Sequence, residues 1–430
     1  MPPTDARAPT APAPSLGALT AAFLRIGVLS FGGPAAQIAL MHRMLVEDRR
    51  WIAEAEYLRA LSLCMLLPGP EAMQLATWIG WRLHGTRGGL IAGLLFVAPG
   101  AVVVLLLAMA YAAVGGVPLV QALFAGVQAT VVVIVLEALL RLARRALRGV
   151  AAWIIAGAAF VALFALAVPF PVVVLAAGAW GFMAAGRGSG ALPRPVDRPR
   201  TAATVALWSA LWLGPLAALA VVEGGILTEI GVFFALLAIV TFGGAYAVLA
   251  WMAQAVVADK GWLTPVQMID GLGLAESTPG PLILVTEFVG FLAAFAQGGL
   301  LLGAAGAAVT LWVTFVPCFL WIFAFAPWLD RITAAPRLAG ALAAIAAAVV
   351  GVILNLALWF ALHVFFAGLA PVRFGPLRLL VPDLASLDLA AFGIAAGAAW
   401  LILGRHWPLP AVLALGGAAG VGLRWLGAAG

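Results

Sequence analysis

Apolar runs of about 20 residues follow one another along almost the whole chain, and this feature leaves few folds open. Hydrophobic residues make up 65% of the sequence and charged residues only 9%, whereas soluble domains carry roughly 25% charged residues. Runs of this length match the span of a transmembrane helix and are too long for strands. We therefore predict an all-α polytopic membrane protein.

We count about 13 spans of membrane length. In chain order they are Leu16 to Met41, Ala60 to Leu83, Gly89 to Val114, Pro118 to Leu140, Val150 to Val168, Phe170 to Gly186, Ala203 to Val222, Ile230 to Val257, Leu263 to Phe291, Gly299 to Pro327, Leu338 to Phe366, Leu387 to Leu403 and Leu409 to Leu426. With the N-terminus cytoplasmic, most loop arginines fall inside, as the positive-inside rule requires. Arg373, Arg378 and the loop of residues 43–59 are exceptions, and a re-entrant hairpin over 60–83 is the alternative.

Two Pro-Gly-Pro tripeptides interrupt these apolar runs, at Pro68-Gly69-Pro70 and at Pro279-Gly280-Pro281. Proline removes a backbone donor and glycine frees the backbone, so a helix does not continue through either tripeptide. Non-helical backbone at membrane depth is tolerated where it is buried in protein or lines a cavity. The paired breaks therefore indicate a transport site.

The spacing of these motifs predicts an internal repeat of 211 residues. The second Pro-Gly-Pro follows the first at this distance (279 − 68), and Phe31-Gly32-Gly33 recurs as Phe242-Gly243-Gly244 at the same distance (242 − 31). Because seven predicted spans precede the second copy, the two halves should be inverted. The predicted boundaries are a disordered tail over 1–15, a first domain over 16–186, a cytoplasmic linker over 187–202 and a second domain over 203–430.

The breaks predict where an anion would bind. Helix N-termini that follow a break present free backbone N–H groups and partial positive charge. Arg25 could attract an anion or extend to the membrane interface, and Gln74 could donate hydrogen bonds. For the paired glycines, close helix packing is the alternative. The predicted substrate-binding residues are Gly32, Gly33, Pro68, Gly69, Pro70, Gln74, Gly243, Gly244, Pro279, Gly280, Pro281 and Arg25.

Three acids in the apolar runs are candidates for proton coupling, because an ionisable group in hydrocarbon costs roughly 2.5–3.5 kcal/mol on insertion scales. They are Glu71, Glu276 and Glu287. Burial favours the neutral form of a carboxyl group, which makes Glu71 and Glu276, beside the breaks, the stronger candidates. Glu137 stands one helical turn before Arg141, and we expect a local ion pair there.

Several other classes of protein find no support. The net charge of +6 comes from arginines in short loops, which the positive-inside rule explains without nucleic acid. Cys64 and Cys318 lie far apart in apolar segments, so we expect two buried thiols and neither a disulfide nor a metal site. The sequence has no metalloprotease, nucleophile-elbow or P-loop motif, and we expect no enzymatic activity and no cofactor.

Longer motifs around the breaks resemble those of the chromate ion transporters. They are Phe31 to Pro34, Met41 to Arg43, Arg49 to Ile52, Leu66 to Ala72, Gln74 to Ala76 and Ile79 to Trp81 in the first half, and Thr241 to Val248, Gly261 to Leu263 and Glu276 to Leu282 in the second half. The resemblance covers the chain from about Phe23 to Phe325 and matches the family's long form, which has two fused homologous domains. Met73 and Glu287 depart from the family pattern, which has glutamine at both positions.

The resemblance implies a secondary transporter that exports chromate across the cytoplasmic (inner) membrane of a bacterium and confers chromate resistance. Membrane potential can drive this export, and proton coupling is an optional addition. Sulfate or another tetrahedral oxyanion is the alternative substrate, and a non-transporting membrane scaffold or sensor is the alternative from another class. The expected partners are the oxyanion and the lipid bilayer, with a homodimer left open.

Overall fold

The structure, a computed structural model, describes residues 14–186, 198–222, 224–242, 245–329, 335–375 and 377–427. Within these residues the regular secondary structure is helical apart from one β-hairpin. The helices are α1 Leu16–Leu29, α2 Gly33–His42, α3 Glu54–Leu66, α4 Glu71–Val114, α5 Pro118–Ala146, α6 Val150–Phe164, α7 Phe170–Ala184, α8 Arg198–Val222, α9 Ile226–Val240, α10 Ala245–Gln254, α11 Pro265–Ser277, α12 Val285–Phe325, α13 Pro336–Phe365, α14 Leu389–Ala399 and α15 Leu409–Trp425.

Helices long and apolar enough to cross a membrane dominate this fold. In the part of the chain that the structure describes, five stretches qualify by length and hydropathy, and they are Glu71–Val114, Pro118–Ala146, Thr201–Val222, Leu282–Trp328 and Pro336–Phe365. Shorter apolar helices of 10–17 residues accompany them. The chain is therefore a helical multi-pass membrane protein, which confirms the predicted fold class in its coarser form.

The predicted N-terminal tail and the predicted linker lie largely outside the described residues. Of the predicted tail, 1–13 are not described, and Ser15 accepts a hydrogen bond from the N–H of Ala18 to begin α1. Of the predicted linker, 187–197 are not described, and α8 already begins at Arg198.

The helix order repeats with the spacing of the motifs. Helix α3 spans Glu54–Leu66 and α11 spans Pro265–Ser277, so both ends are displaced by 211 residues (265 − 54, 277 − 66). Helix α2 continues into a π-helical turn over Arg43–Asp48, and α10 continues into one over Ala255–Asp259. The repeat found in the sequence is thus also a repeat of local structure.

Both Pro-Gly-Pro sites divide runs that were predicted as single spans. The predicted span from Ala60 to Leu83 is broken after Leu66, and the run resumes as α4 at Glu71. Helix α4 then turns sharply at His84 and Gly85, where the backbone angles are not helical. The two arms of α4 lie against each other, since a Cβ atom on Gly80 would be 2.2 Å from the carbonyl oxygen of Gly88.

The bundle packs long helices from both halves together. Helix α1 packs on α4, α9 packs on α12, and α4 packs on α12 across the two halves. Helix α5 contacts α11, α13, α14 and α15. This central position of α5 brings its polar residues towards the helix breaks.

The β-hairpin follows α13 and was not predicted. Strands β1 Leu369–Phe374 and β2 Leu377–Pro382 pair antiparallel, with Arg373 opposite Arg378. The two arginines that the sequence placed in a simple loop therefore lie at the turn of this hairpin. A search for apolar runs of membrane length does not detect strands of six residues, so the hairpin was missed.

Candidate functional site

The two Pro-Gly-Pro loops are held by a reciprocal pair of backbone hydrogen bonds. The Gly69 N–H donates to the carbonyl oxygen of Thr241 at 2.8 Å, and the Gly280 N–H donates to the carbonyl oxygen of Ser30 at 2.8 Å. Donors and acceptors are each separated by the repeat distance (280 − 69, 241 − 30). Each Pro-Gly-Pro loop therefore docks on the residue that precedes the Phe-Gly-Gly motif of the opposite half.

Glycine is required in these loops by both backbone angle and space. Gly69 has φ +117° and Gly280 has φ +99°, in the region that side chains with a Cβ rarely adopt. Helix α4 approaches the second loop at Gly100, where a Cβ atom would be 2.2 Å from the carbonyl oxygen of Pro279. The contact is backbone to backbone, so no side-chain rotation could relieve it.

Two buried glutamines satisfy carbonyl groups in the same loops. Gln37 Nε2 donates to the Gly280 oxygen at 2.6 Å, and Gln74 Nε2 donates to the Pro68 oxygen at 2.6 Å. Among the described residues the Oε1 atoms of both glutamines have no hydrogen-bond partner. Gln74 thus uses its amide to hold the loop, while its predicted contact with an anion stays a prediction.

A cavity of about 120 Å³ lies beside these loops, between the start of α2, the start of α4, the start of α10 and the C-terminal part of α5. One water takes about 30 Å³ of liquid, so the space exceeds that of a single water molecule. The cavity is lined by Gly32, Gly33, Pro34, Ala35, Glu71, Glu137, Ala138, Arg141, Leu142, Arg145, Ala245, Tyr246, Ile353 and Leu409.

Positive charge and helix N-termini converge on this cavity. Gly32, with φ +85°, turns the chain into α2 without a side-chain cap, so N–H groups of the first turn remain free of intrahelical partners. Arg141 and Arg145 add two guanidinium groups from α5. A helix N-terminus and arginine are both preferred binding groups for oxyanions, the first through its partial positive charge and the second through paired N–H donors.

Two acids share the cavity with these cations. Arg141 donates to Glu137 Oε1 from Nη2 at 2.5 Å and from Nε at 3.1 Å, so the ion pair predicted from their spacing is present. Glu71 is half-buried at the start of α4, within Coulombic range of Arg145. The cavity therefore holds two cationic and two acidic side chains, and the helix N-terminus adds to the positive side.

Tyr246 connects the cavity to a third acid. Tyr246 lines the cavity, and its hydroxyl group donates a hydrogen bond to Oε1 of the buried Glu276. Glu276 lies on α11, immediately before the second Pro-Gly-Pro loop. The two acids predicted beside the breaks, Glu71 and Glu276, are thus brought to the same region from opposite halves.

A second, larger cavity of about 710 Å³ adjoins the first. Gly32, Glu137 and Arg141 line both cavities, while His406 and Trp407 line the larger one only. The Glu137–Arg141 ion pair therefore lies between a wide space and a narrow one.

The other predicted site residues lie away from the two cavities or outside the described residues. Arg25 is exposed on α1 and does not line either cavity. Glu287 is buried on α12, and neither of its carboxylate oxygens has a hydrogen-bond partner within the described part of the chain. Gly243 and Gly244 lie outside the described residues. The loop residues Pro68, Gly69, Pro70, Pro279, Gly280 and Pro281 do not line the cavity but hold its walls together.

The sequence did not single out Arg145 or Tyr246 as site residues. One signal was available for Tyr246, because it stands where the first copy of the repeat has Ala35 (246 − 35 = 211). A tyrosine in one copy and an alanine in the other indicate a position at which the two halves have different functions. Arg145 gave no such signal, since it belongs to a cluster of arginines that topology alone explains.

Comparison with known proteins identifies the family. The model of a family described as "Chromate transporter" matches residues 17–182 and 228–421, which is most of the chain. The chain belongs to the chromate transporter family. Both matched segments contain a Pro-Gly-Pro loop, and both contribute residues to the cavity.

Individual members of the chromate transporter family resemble the chain over most of its length. It is 32% identical over 345 residues to the chromate transport protein of Cupriavidus metallidurans, covering 80% of this chain and 82% of that protein. It is 34% identical over 358 residues to the chromate transport protein of Pseudomonas aeruginosa, covering 81% and 82%. It is 35% identical over 326 residues to the probable chromate transport protein of Synechococcus elongatus, covering 74% and 78%. No solved structure matches the chain.

Proposed function

We propose that this member of the chromate transporter family exports chromate across the bacterial cytoplasmic membrane and so confers chromate resistance. The observation that carries the proposal is the small cavity that places Arg141, Arg145 and the N-terminus of α2 around one space. Chromate is a tetrahedral dianion, and its oxygens suit both guanidinium forks and free backbone N–H groups. The names of the relatives support chromate as the oxyanion.

The two halves form an inverted repeat in this proposal, with about 13 spans in total and a cytoplasmic N-terminus. The reciprocal hydrogen bonds between the loops support a two-fold relation, because mutual contacts of equivalent residues are typical of two-fold symmetry. Alternating access would then come from a movement of one half against the other around the shared loops. The larger cavity would give access to the smaller one past the Glu137–Arg141 pair.

Membrane potential is sufficient to drive this export. Moving one negative charge outwards across an inside-negative membrane releases about 2.3 kcal/mol per 100 mV. Moving a dianion releases roughly 4–5 kcal/mol per 100 mV. Coupling to protons through Glu71 or Glu276 extends the proposal, because both acids lie at or next to the cavity.

Chromate flux in purified proteoliposomes tests the proposal. We expect potential-driven chromate transport in the direction of export, with sulfate as a competitor because helix N-termini and guanidinium groups recognise charge and shape. Transport of sulfate with no measurable transport of chromate would assign the protein to another oxyanion. Absence of flux for both anions would favour a scaffold or sensor.

Glu71→Gln tests the proton-coupling part of the proposal. We expect this variant to lose part of the stimulation of chromate uptake by an acidic lumen in everted vesicles, since glutamine cannot carry a proton. Glu229→Gln is the matched control, because Glu229 is exposed and 3.5 Å from Lys260, away from the cavity. If the Glu71→Gln variant keeps the full pH dependence of the wild type, Glu71 is not a proton carrier.

A further inference from the structure

A fourth acid, Asp270, is buried on α11 outside both cavities, with 2% of its surface exposed. Tyr111 Oη donates to Asp270 Oδ2 at 2.7 Å, and Gln128 Nε2 donates to Oδ1 at 2.7 Å. Each carboxylate oxygen therefore has a neutral donor. The three side chains come from α4, α5 and α11, so three helices meet at this acid.

Within the described residues no arginine, lysine or histidine forms an ion pair with Asp270. The Tyr111 ring packs edge-on against Phe124 and Phe288, with ring centroids 5.3 Å apart in both cases, which keeps the surroundings apolar. A metal ion would need several oxygen ligands, whereas the two contacts of this carboxylate come from hydrogen-bond donors. A proton is the cation that this site fits.

The helices that pack around Asp270 carry few other titratable groups. On α11 itself the next acid is Glu276, and on α12 Glu287 precedes Phe288. Helix α5 carries Glu137, Arg141, Arg144 and Arg145 near its C-terminal end. The charged or titratable residues of α13 and α15 lie near helix ends, at Arg337, His363 and Arg424.

Asp270 and Glu276 lie on different faces of α11, because residues six apart on a helix are about 120° apart around its axis. They are six residues apart (276 − 270), which is about 9 Å along a helix axis. Gly273 lies between them and packs closely on α5, since a Cβ atom there would be 2.5 Å from Cγ1 of Val127. The apolar contact with Val127 therefore separates the Asp270 site from Glu276, whose carboxylate is connected to the cavity through the Tyr246 hydroxyl.

We propose that Asp270 is a proton-binding site at the junction of α4, α5 and α11, and that it takes up and releases a proton as the oxyanion site changes its exposure. The inference rests on the proposed function for the coupling to oxyanion transport. The protonation of Asp270 itself does not depend on that function.

Asp270→Asn is the decisive variant, because the amide has nearly the same shape and can still pair with Tyr111 and Gln128 but cannot bind the proton. In everted vesicles with the potential clamped at zero, we expect an acidic lumen to stimulate chromate uptake by the wild type. We expect Asp270→Asn to lose this stimulation and to keep potential-driven uptake. Tyr111→Phe, which retains the carboxyl group, and Asp48→Asn, which changes an exposed acid, should keep the stimulation.

A second measurement tests the proton site without transport. Infrared difference spectra of the purified protein between acidic and alkaline pH should contain a protonated-carboxyl band that is absent from Asp270→Asn and present in Asp48→Asn. Identical spectra for wild type and Asp270→Asn would overturn the inference, as would full retention of the pH-gradient response by Asp270→Asn. Absence of chromate flux in the wild type together with a band assigned to Asp270 would overturn the proposed function and leave the proton site supported.

Discussion

Replacing Arg145 with glutamine is expected to raise the KM for chromate by roughly 10- to 150-fold, because a hydrogen bond to a charged group contributes about 1.5–3 kcal/mol. Arg145 and Glu71 both line the small cavity, so the removal of Arg145 also removes a favourable charge interaction from that acid. The measurement is the initial rate of chromate uptake into proteoliposomes over a range of chromate concentrations.

Arg144→Gln is the matched control for this variant. Arg144 is the preceding residue on the same helix, is exposed, and does not line the cavity. Both variants remove one positive charge from the same membrane face, so effects on topology and surface potential should be equal. Equal KM values for Arg144→Gln and Arg145→Gln would contradict the assignment of the cavity as the oxyanion site.

Gly100→Ala is expected to abolish transport and to lower the denaturation temperature. The new methyl group would be 2.2 Å from the carbonyl oxygen of Pro279, and backbone atoms on both sides prevent relief by a change of rotamer. Extra atoms in a packed core typically cost about 1–3 kcal/mol. We expect the second Pro-Gly-Pro loop to shift and to lose the bond from Gly280 N–H to Ser30, which connects the two halves.

Gly157→Ala provides the control for this steric effect. Gly157 lies within α6, and no atom outside its own helix lies within 4 Å of a Cβ atom built there. Alanine favours a helix over glycine by up to about 1 kcal/mol, so the gain in helix propensity applies to both variants. Thermal denaturation in detergent and chromate uptake should separate the two. A Gly100→Ala protein with the stability and flux of Gly157→Ala would show that the close approach is not required.

The sequence alone predicted the features that depend on local chemistry. The structure breaks the runs at Pro68 to Pro70 and at Pro279 to Pro281, because each tripeptide removes two backbone donors and frees the backbone between them. The pairing of Glu137 with Arg141 was predictable because residues four apart share a helix face. The 211-residue repeat also required only the order of the motifs.

Contacts between distant segments could not be predicted in the same way. Nothing in the sequence states that the Gly69 N–H bonds to Thr241, or that Tyr246 bonds to Glu276. Asp270 was missed because its partners, Tyr111 and Gln128, come from the other half of the chain. In the sequence, Arg145 was explained by the positive-inside rule alone. Its position at the cavity depends on the rotation of α5, which is set by packing against several other helices.

Potential-driven chromate uptake by everted membrane vesicles from cells that express the protein is the most direct test of the account. With the lumen positive and no pH gradient, we predict uptake of chromate that stops when the potential is collapsed and that falls strongly in Arg145→Gln. Uptake that is absent under this potential, or that is the same in the wild type and Arg145→Gln, would contradict export of chromate through the cavity between the two halves.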